Sequence, residues 1–467
     1  MERPLVMKFG GTSVADEAAI RRLVAHVAEA RRDGAHPVVV VSALGGVTND
    51  LLKAAALAAR SDGAADAILG ELRGRHLALT SRVALDRTNE VSREIDAQFD
   101  ELGAVFHAVA TLKEASPRAL DAIAAAGELL SSRIVHAALC AEGTPSVWVD
   151  PRHLVITNED YTHAGPLFNE IEAAVPRQIE PALAAGAVPV TGGYVGATRE
   201  AVTTTLGRGG SDYSAAIIGA ALNAREIQIW TDVDGMLTAD PRIVPSPRVV
   251  PVLSFGEASE LAYFGAKVLH PSTIQPAVAR DIPVRILNSR SAAAPGTLIA
   301  SRGADEGSGR PAAIACKRSV TVVDIISTRM LMAHGYLRRV FEVFERHRTA
   351  VDVVTTSEVS VSVTVDDDRR LNAIIQGMSE FAEVHAEHGM AILCAVGDGL
   401  RRDPRIVARM LGALDGFPLR MVSQAASRRN VTVVLRDVDV PAAMARLHDL
   451  FFASSDEGER ATEAVGS

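Results

Sequence analysis

Apolar runs that alternate with helical patterns constrain the fold of this chain more than any other feature. Residues 38–41 are four consecutive valines, and a continuous β-branched run is typical of a strand that is covered on both faces. Apolar runs predict further strands at residues 5–9, 147–149, 188–191, 227–230 and 284–287. Because helical patterns separate most of these runs, the order predicts an α/β fold with a mainly parallel sheet.

The pattern changes at residues 301–310, a polar, glycine-rich segment that we interpret as a linker. Residues 1–300 are therefore predicted to form one α/β domain. Beyond the linker, a strand–helix–strand–strand order occurs at 311–388 and again at 389–455, which predicts two small α+β domains of regulatory type. Residues 456–467 are predicted to be a disordered tail.

Composition limits the partners of the chain. A net charge of −9 and an aromatic content of 4% argue against a nucleic-acid partner. No run of about 18 apolar residues is present, so no membrane-spanning segment is expected. The N-terminus lacks a signal-peptide pattern, and the three cysteines form no Cys-x-x-Cys pair. These features predict a cytoplasmic protein.

Two glycine-rich segments carry the strongest functional signal. Residues 8–13 (KFGGTS) follow the first strand, and residues 207–214 (GRGGSDYS) precede an apolar helix. Glycines let backbone amides approach a ligand closely, and a helix N-terminus adds partial positive charge. Two phosphate-type turns in one chain indicate phosphoryl transfer. Neither segment is a Walker A loop, and no G-x-G-x-x-G follows a strand.

Four charged residues are candidates for the chemistry. The Lys8 ammonium is placed to bridge phosphate oxygens, and the Arg208 guanidinium suits a carboxylate. Asp212 can fix a lysine or a substrate amine. Glu128 lies in an apolar helix, where a buried carboxylate needs a partner such as a substrate ammonium. Each also has a plain structural interpretation: an edge lysine, two surface-loop charges and an exposed helix glutamate.

Two turns at predicted strand ends offer weaker signals. Ser42 and Thr48 follow the valine run, at the edge where open α/β sheets bind ligands, and could bind a substrate or serve turn chemistry alone. Residues 230–236 (WTDVDGM) also end a strand. Their Asp-x-Asp-Gly order resembles a calcium loop, but the acidic twelfth position is missing, so a nucleotide-facing turn is the simpler interpretation. Lys267 either contacts the nucleotide or is a lysine at a helix C-terminus that interacts favourably with the helix dipole.

The segments KFGGTSV (8–14), GRGGSDYS (207–214), WTDV (230–233), DPR (240–242) and FGAKVLHP (264–271) together resemble aspartate kinase. The resemblance extends from residue 4 to about residue 452. It implies the amino-acid kinase fold followed by two ACT domains. It also implies ATP-dependent phosphorylation of the L-aspartate side chain to 4-phospho-L-aspartate.

The resemblance implies three groups of site residues. Lys8 and Asp212 would be catalytic, and Ser42, Thr48, Glu128 and Arg208 would bind aspartate. The nucleotide would be bound by Lys8, Phe9, Gly10, Gly11, Thr231, Asp232, Leu237, Arg242, Lys267 and Val268. Leu237 stands where family members often have tyrosine. Mg²⁺ would be held mainly by phosphates and water, without a protein metal cage.

The C-terminal half resembles the lysine-sensitive branch of the family. Asp352 and Glu358 would meet the ammonium groups of an amino-acid effector, with lysine favoured. Ser357 and the Gly335 backbone would meet its carboxylate, and Met330 would complete the site. The ACT pair also predicts a homo-oligomer. Alternatively, the pair serves dimerisation alone and binds no effector. In relatives the second ACT domain can be inserted in the first.

Two other functions stay open on sequence alone. A kinase for another acidic amino acid, such as glutamate, would share the phosphate turns, although Arg208, Glu128 and the ACT pair argue against it. A catalytically silent amino-acid sensor would use the ACT pair only. Intact Lys8, Arg208 and Asp212 argue against that alternative.

Overall fold

The structure is a computed structural model that describes residues 2–265, 269, 271–291, 294–303, 310–327, 334–424 and 428–453. Its strands are β1 Leu5–Phe9, β2 Pro37–Val41, β3 Ser146–Trp148, β4 Val188–Gly192, β5 Val195–Ala197, β6 Thr203–Thr205, β7 Glu226–Thr231, β8 Val252–Ser254, β9 Val284–Asn288, β10 Thr297–Ala300, β11 Ala313–Ile326, β12 Val354–Thr356, β13 Ser360–Val365, β14 Glu383–Val396, β15 Met421–Ser423 and β16 Asn430–Arg436. Its α-helices are α1 Glu17–Arg32, α2 Val47–Ala58, α3 Ala64–Val83, α4 Thr88–Leu112, α5 Pro117–Ala141, α6 Phe168–Ala184, α7 Gly210–Ala221, α8 Phe255–Tyr263, α9 Gln275–Ala279, α10 Tyr336–Arg346, α11 Leu371–Met378, α12 Pro404–Ala413 and α13 Val440–Phe452.

Three predicted site residues, Lys267, Val268 and Met330, lie outside the described residues. The same holds for most of the predicted linker and for the whole tail predicted at 456–467.

The chain divides into two compact units. Unit 1 comprises Met1–Met236 and Val268–Ser301, and unit 2 comprises Leu237–Lys267 and Arg302–Ser467. We expected all of residues 1–300 to form one domain. Residues 237–267 instead group with the C-terminal part, because Ala239 and Val244 are buried in the hydrophobic cluster formed there.

Unit 1 contains the predicted parallel sheet, in the order β3-β4-β2-β1-β7-β9-β10. β1 pairs in parallel with β2 and β7, and only the β9–β10 pair among these neighbours is antiparallel. All five residues of β1 and of β2 are buried, as expected for strands covered on both faces.

The carboxyl ends of four parallel strands meet at one edge of this sheet. Phe9 pairs with Val41 on one side and Trp230 on the other, and Val41 pairs with Gly192. The turns that begin at Gly10, at Ser42, at Gly193 and after Thr231 therefore leave the sheet side by side. This is the edge where open α/β sheets bind ligands.

Helix α5 is the central helix of unit 1. Ser116 caps it by accepting a hydrogen bond from the Ala119 N–H, and Pro117 is its first residue, as the sequence predicts. By length and composition α5 could cross a membrane, but 83% of its most apolar window is buried inside the protein. It is the core helix of this unit and carries Glu128 inward.

Unit 2 contains an antiparallel sheet in the order β12-β13-β11-β14-β16-β15. Two hydrophobic clusters flank it, one built with α10 and α11 and the other with α12 and α13. The register of β11 shifts between Lys317 and Val320. Ile314 joins the α12–α13 cluster and Val323 the α10–α11 cluster, so β11 contributes to both halves.

The sequence led us to consider that the second ACT domain is inserted in the first, and the structure shows the reverse order of insertion. Residues of the α10–α11 half lie between Ile314 and the later strands that share its cluster. The first ACT-like half is thus inserted in the second, because β11 runs through both.

Candidate active site

A cavity of about 370 Å³ opens at the carboxyl edge of the sheet in unit 1. The sequence-predicted catalytic and aspartate-binding residues all line it: Lys8, Ser42, Thr48, Glu128, Arg208 and Asp212. The remaining lining comprises Thr162, His163, Tyr194, Gly207, Gly209, Gly210 and Ser211. Residues from β1, α2, α5 and α7 thus converge on one volume of a size that suits a small molecule.

Lys8 and Asp212 form an ion pair inside this cavity. The Lys8 Nζ lies 2.5 Å from Asp212 Oδ1, and the two side chains are 10% and 16% exposed. Strand β1 places Lys8 next to its carboxyl end, and Asp212 lies in the first turn of α7. A carboxylate there is favoured by the helix dipole. Asp212 therefore holds the Lys8 ammonium beside the turn that follows β1.

Glu128 is a buried carboxylate, and no cation of the described residues is in hydrogen-bonding contact with it. It is 4% exposed, and its Oε2 has no hydrogen-bond partner among the described residues. Burial raises its pKa to about 8, against the lowering effects of backbone hydrogen bonds and of the Lys8 charge. An unpartnered buried oxygen of this kind suits an ammonium group brought by a ligand.

Close backbone approach brings Glu128 to the cavity. A side chain at Gly127 would place its Cβ 2.7 Å from the Ala43 Cβ, so α5 packs directly against the loop that follows β2. That loop supplies Ser42, and Thr48 is the second residue of α2 after Gly46, whose φ is +88°.

Arg208 provides the complementary charge. It is exposed at the cavity rim, and within the described part of the chain its guanidinium forms no ion pair within 4.0 Å. Gly207 before it has a φ of +75°, and a Cβ there would lie 2.4 Å from His163 Nδ1. The absence of a side chain at Gly207 therefore lets the His163 loop approach the arginine segment.

The predicted phosphate turn is only partly open to a ligand. The Phe9 ring is fully buried and stacks on Trp230 at 5.7 Å, so Phe9 can offer a ligand no more than its backbone. The Gly10 N–H donates to the Trp230 carbonyl at 3.0 Å. Gly11 is the first residue of a 3₁₀ turn, where N–H groups lack acceptors within the turn. Gly11 is thus the better amide donor of the pair.

The other predicted nucleotide residues are divided between the units. Thr231 and Asp232 belong to unit 1, where the Thr231 hydroxyl donates to the Asp232 carboxylate. Leu237 and Arg242 belong to unit 2. Arg242 is largely exposed and pairs with Asp240 at 2.6 Å, which holds the Asp240 pKa below its ordinary value.

In unit 2, the predicted effector residue Asp352 already has internal partners. Its side chain is 3% exposed, and Oδ1 accepts hydrogen bonds from Lys317 Nζ and the Tyr263 hydroxyl, both at 2.8 Å. Its Oδ2 is buried and has no hydrogen-bond partner among the described residues. Lys317 also pairs with Asp366 at 2.7 Å. Sequence reasoning missed both Lys317 and Tyr263.

The other effector residues that the structure describes lie on the surface of unit 2. Glu358 and Ser357 are exposed, and the Ser357 hydroxyl contacts that of Ser360 at 2.7 Å. Gly335 is exposed, has a φ of +80° and precedes the first turn of α10.

Sequence reasoning also missed Asp121, Thr162, His163 and Tyr194. The last three line the cavity, and Asp121 hydrogen-bonds Thr162. One available signal was the spacing of Asp121 and Glu128, seven residues apart in one helix, which places both on the same face.

Comparisons with known proteins first define the class. The model of the Amino acid kinase family matches residues 3–288, and an ACT domain model matches residues 393–451. The fold is that of an amino-acid kinase joined to ACT-type regulatory structure.

Close relatives then define the family. Aspartokinase 1, chloroplastic, of Arabidopsis thaliana is 36% identical over 97% of this chain and 81% of that protein. Lysine-sensitive aspartokinase 3 of Escherichia coli (strain K12) is 34% identical over 97% of this chain and 100% of that protein. A crystal structure of E. coli aspartokinase III in complex with aspartate and ADP matches with a TM-score of 0.82 and 33% identity, covering 96% of this chain and 100% of that one. The chain belongs to the aspartokinase family. Its predicted fold class and its predicted enzyme class, aspartate kinase, are confirmed.

Proposed function

We propose that the cavity of unit 1 binds L-aspartate between Glu128 and Arg208. The γ-phosphoryl group of ATP is transferred there to the side-chain carboxylate, giving 4-phospho-L-aspartate. One observation carries this assignment: a carboxylate oxygen and a guanidinium face the same cavity, and neither has a hydrogen-bonded or ion-pair partner among the residues that the structure describes. An α-amino acid presents an ammonium to the first and a carboxylate to the second.

The chain's own residues supply alignment and charge rather than a strong base. The attacking group is already a carboxylate, so no proton has to be removed from it. Lys8 neutralises charge on the moving phosphoryl group. Asp212 fixes the position of the Lys8 Nζ through the 2.5 Å ion pair. Positioning and electrostatic stabilisation of this kind suffice for phosphoryl transfer.

The residues present fit the phosphates of ATP. Lys8 faces the cavity, and at Gly11 an added Cβ would stand 3.0 Å from the Ala43 carbonyl oxygen, so a side chain there would crowd the turn. Lys8 and the Gly11 amide would hold the phosphates. Bound Mg²⁺ supplies charge neutralisation, and phosphates and water would be its main ligands.

The kinase assignment is tested with the full chain and ATP, using L-aspartate, L-glutamate or no acceptor and measuring ADP release. We expect turnover with aspartate that exceeds the other two rates by at least about tenfold, since a mispositioned carboxylate loses alignment. Equal rates with glutamate would contradict the aspartate assignment. ADP release no faster with aspartate than without acceptor would favour the silent sensor.

For unit 2 we infer an amino-acid effector, with lysine favoured, whose ammonium reaches Asp352. The Asp352 Oδ2 is buried and has no hydrogen-bond partner within the described ranges, which supports an ammonium there, and one relative is a lysine-sensitive aspartokinase. Initial rates with lysine, threonine and methionine added singly test this inference. No change with any of the three would remove the effector.

Self-association through unit 2 and a cytoplasmic location complete the proposal. Exposed apolar side chains occur on α10 and on β12 and β15, the strands at the two ends of its sheet order: Leu337, Phe341, Val354 and Val422. Such surface favours a second copy of the chain. Cys140, Cys316 and Cys394 are free, which suits a reducing compartment. Light scattering during size-exclusion chromatography tests the oligomer, and a monomeric mass would exclude it.

A further inference from the structure

Asp121 is a buried carboxylate that the proposed reaction does not use directly. It lies in α5, is 1% exposed and does not line the cavity. Its Oδ1 accepts the Thr205 hydroxyl at 2.5 Å, and its Oδ2 accepts the Thr205 N–H at 3.1 Å and the Thr162 N–H at 2.9 Å. One carboxylate therefore joins two segments to the helix that bears Glu128.

Both segments border the cavity. His163 follows Thr162, and Arg208 stands three residues after Thr205. The Ala164 N–H donates to the Thr205 carbonyl at 2.9 Å, so the two segments are also tied to each other. Of the three heavy atoms nearest to a Cβ built at Gly207, two belong to the His163 side chain and the third is the Thr162 carbonyl oxygen. The position of Arg208 therefore depends on the two segments that Asp121 holds.

The backbone at Thr162 is a second sign that this loop is held from outside. Thr162 has a φ of +75°, a conformation that a β-branched residue adopts only when its surroundings impose it. The hydrogen bond from its N–H to Asp121 is one of those constraints. Tyr194, which also lines the cavity, has a φ of +65°.

We infer that Asp121 is a positioning residue for the substrate cavity. Glu128 lies two turns from Asp121 in the same helix. By holding the arginine segment against this helix, Asp121 sets the distance between Arg208 and Glu128, and so determines affinity for the amino acid without touching it. The inference rests on the proposed binding of aspartate between these two side chains. Burial raises the pKa of Asp121, and the hydrogen bonds from Thr205 and Thr162 oppose this.

The test is Asp121→Asn, with steady-state kinetics for both substrates. An amide cannot accept all three hydrogen bonds, so the arginine segment loses its fixed position. We expect KM for aspartate to rise about tenfold, while KM for ATP and kcat change less than about twofold. A uniform rise of both KM values would show a general structural defect and overturn the inference.

Matched variants guard against a misfolded protein. Thr205→Val removes the hydroxyl donor and should raise KM for aspartate about threefold, whereas Thr205→Ser retains it and should stay near wild type. Asp150→Asn alters another poorly exposed carboxylate, which pairs with Arg152 and does not line the cavity; its KM for aspartate should not change. Equal KM values for aspartate in Thr205→Val and Thr205→Ser would overturn the inference even if Asp121→Asn does not fold.

Calorimetric titration with L-aspartate separates the two possible failures. A wild-type protein without aspartate turnover overturns the proposed function. Equal affinity of wild type and Asp121→Asn for aspartate overturns the role of Asp121, whatever the turnover.

Discussion

Glu128 in unit 1 and Asp352 in unit 2 are both poorly exposed carboxylates that were predicted to receive ammonium groups, and their surroundings differ. One Glu128 oxygen has no hydrogen-bond partner among the described residues, and burial raises the pKa to about 8. One Asp352 oxygen likewise lacks a partner within the described segments, but the other accepts hydrogen bonds from Lys317 and Tyr263.

The difference teaches how a substrate site and a regulatory site can use the same chemistry. At Glu128 the proposed substrate ammonium would supply a hydrogen-bonded cation that the described part of the protein does not provide. At Asp352 an external ammonium has to share the carboxylate with Lys317 or displace it. Competition of this kind lowers the apparent affinity by the fraction of sites that are open. A regulatory site can therefore respond at higher ligand concentrations than a substrate site.

A pair of lysine substitutions gives the largest expected effect. Lys8→Met removes the cation of the cavity, and kcat should fall about 10²–10³-fold, as when one preorganised electrostatic group is lost. Lys317→Met, the matched control in unit 2, should leave kcat without effector within about twofold. Steady-state rates at saturating substrates measure both. Wild-type turnover by Lys8→Met would show that the phosphate role is wrong.

Glu128→Gln should give the next largest effect, because it removes the charge that receives the substrate ammonium. We expect kcat/KM for aspartate to fall about 10–100-fold at pH 8. In wild type, the ionised form accumulates as pH rises toward the pKa of about 8. Its kcat/KM should therefore rise from pH 6 to 8 and level off above, and this rise should be absent in the variant. The same rise in both proteins would assign it to another group.

Stability provides an independent check on Glu128. Its pKa in the folded protein lies above the ordinary value of 4.5, so the neutral form is favoured by folding. This contribution to the free energy of unfolding is fully present below pH 4.5 and is lost as pH rises through about 8. In denaturant unfolding, the free energy of unfolding of the glutamine variant should decline less than that of wild type between these pH values.

Local features of the sequence predicted most of the fold and the cavity. The valine run of β2 and the Ser116–Pro117 start of α5 are signals contained within a few residues, and both are confirmed. Lys8 and Ser42 could be placed together because parallel strands end at one edge. Glu128 and Arg208 were candidates because of their residue types and neighbours, and the resemblance to the family assigned both to aspartate.

Contacts between distant residues could not be predicted. Asp121 binds Thr162 and Thr205, 41 and 84 residues away, and Asp352 binds Tyr263 across 89 residues. Such pairs leave no periodic pattern, because they depend on the packing of whole elements. The grouping of residues 237–267 with unit 2 has the same origin, since Ala239 and Val244 are ordinary apolar residues until their neighbours are known.

Lys317→Met should have a moderate effect on regulation. With the internal ammonium removed, an effector ammonium meets an uncontested Asp352, and the concentration for half-maximal inhibition should fall about three- to tenfold. The variant also leaves a poorly exposed carboxylate without its cation, which destabilises the protein. Lysine should therefore raise its melting temperature more than that of wild type. Asp352→Asn is the control and should lose inhibition; unchanged inhibition in both variants would remove Asp352 from the effector site.

Tyr263→Phe should have the smallest effect and separates the two partners of Asp352. The variant loses one hydrogen bond from the hydroxyl of a half-exposed residue, which is expected to lower the free energy of unfolding by about 1 kcal/mol or less. Because Lys317 stays in place as the competing cation, the concentration of lysine for half-maximal inhibition should change less than about twofold. Urea unfolding and inhibition curves measure the two quantities. If phenylalanine at this position shifted inhibition as far as Lys317→Met does, the hydroxyl rather than the ammonium would be the partner that controls access to Asp352.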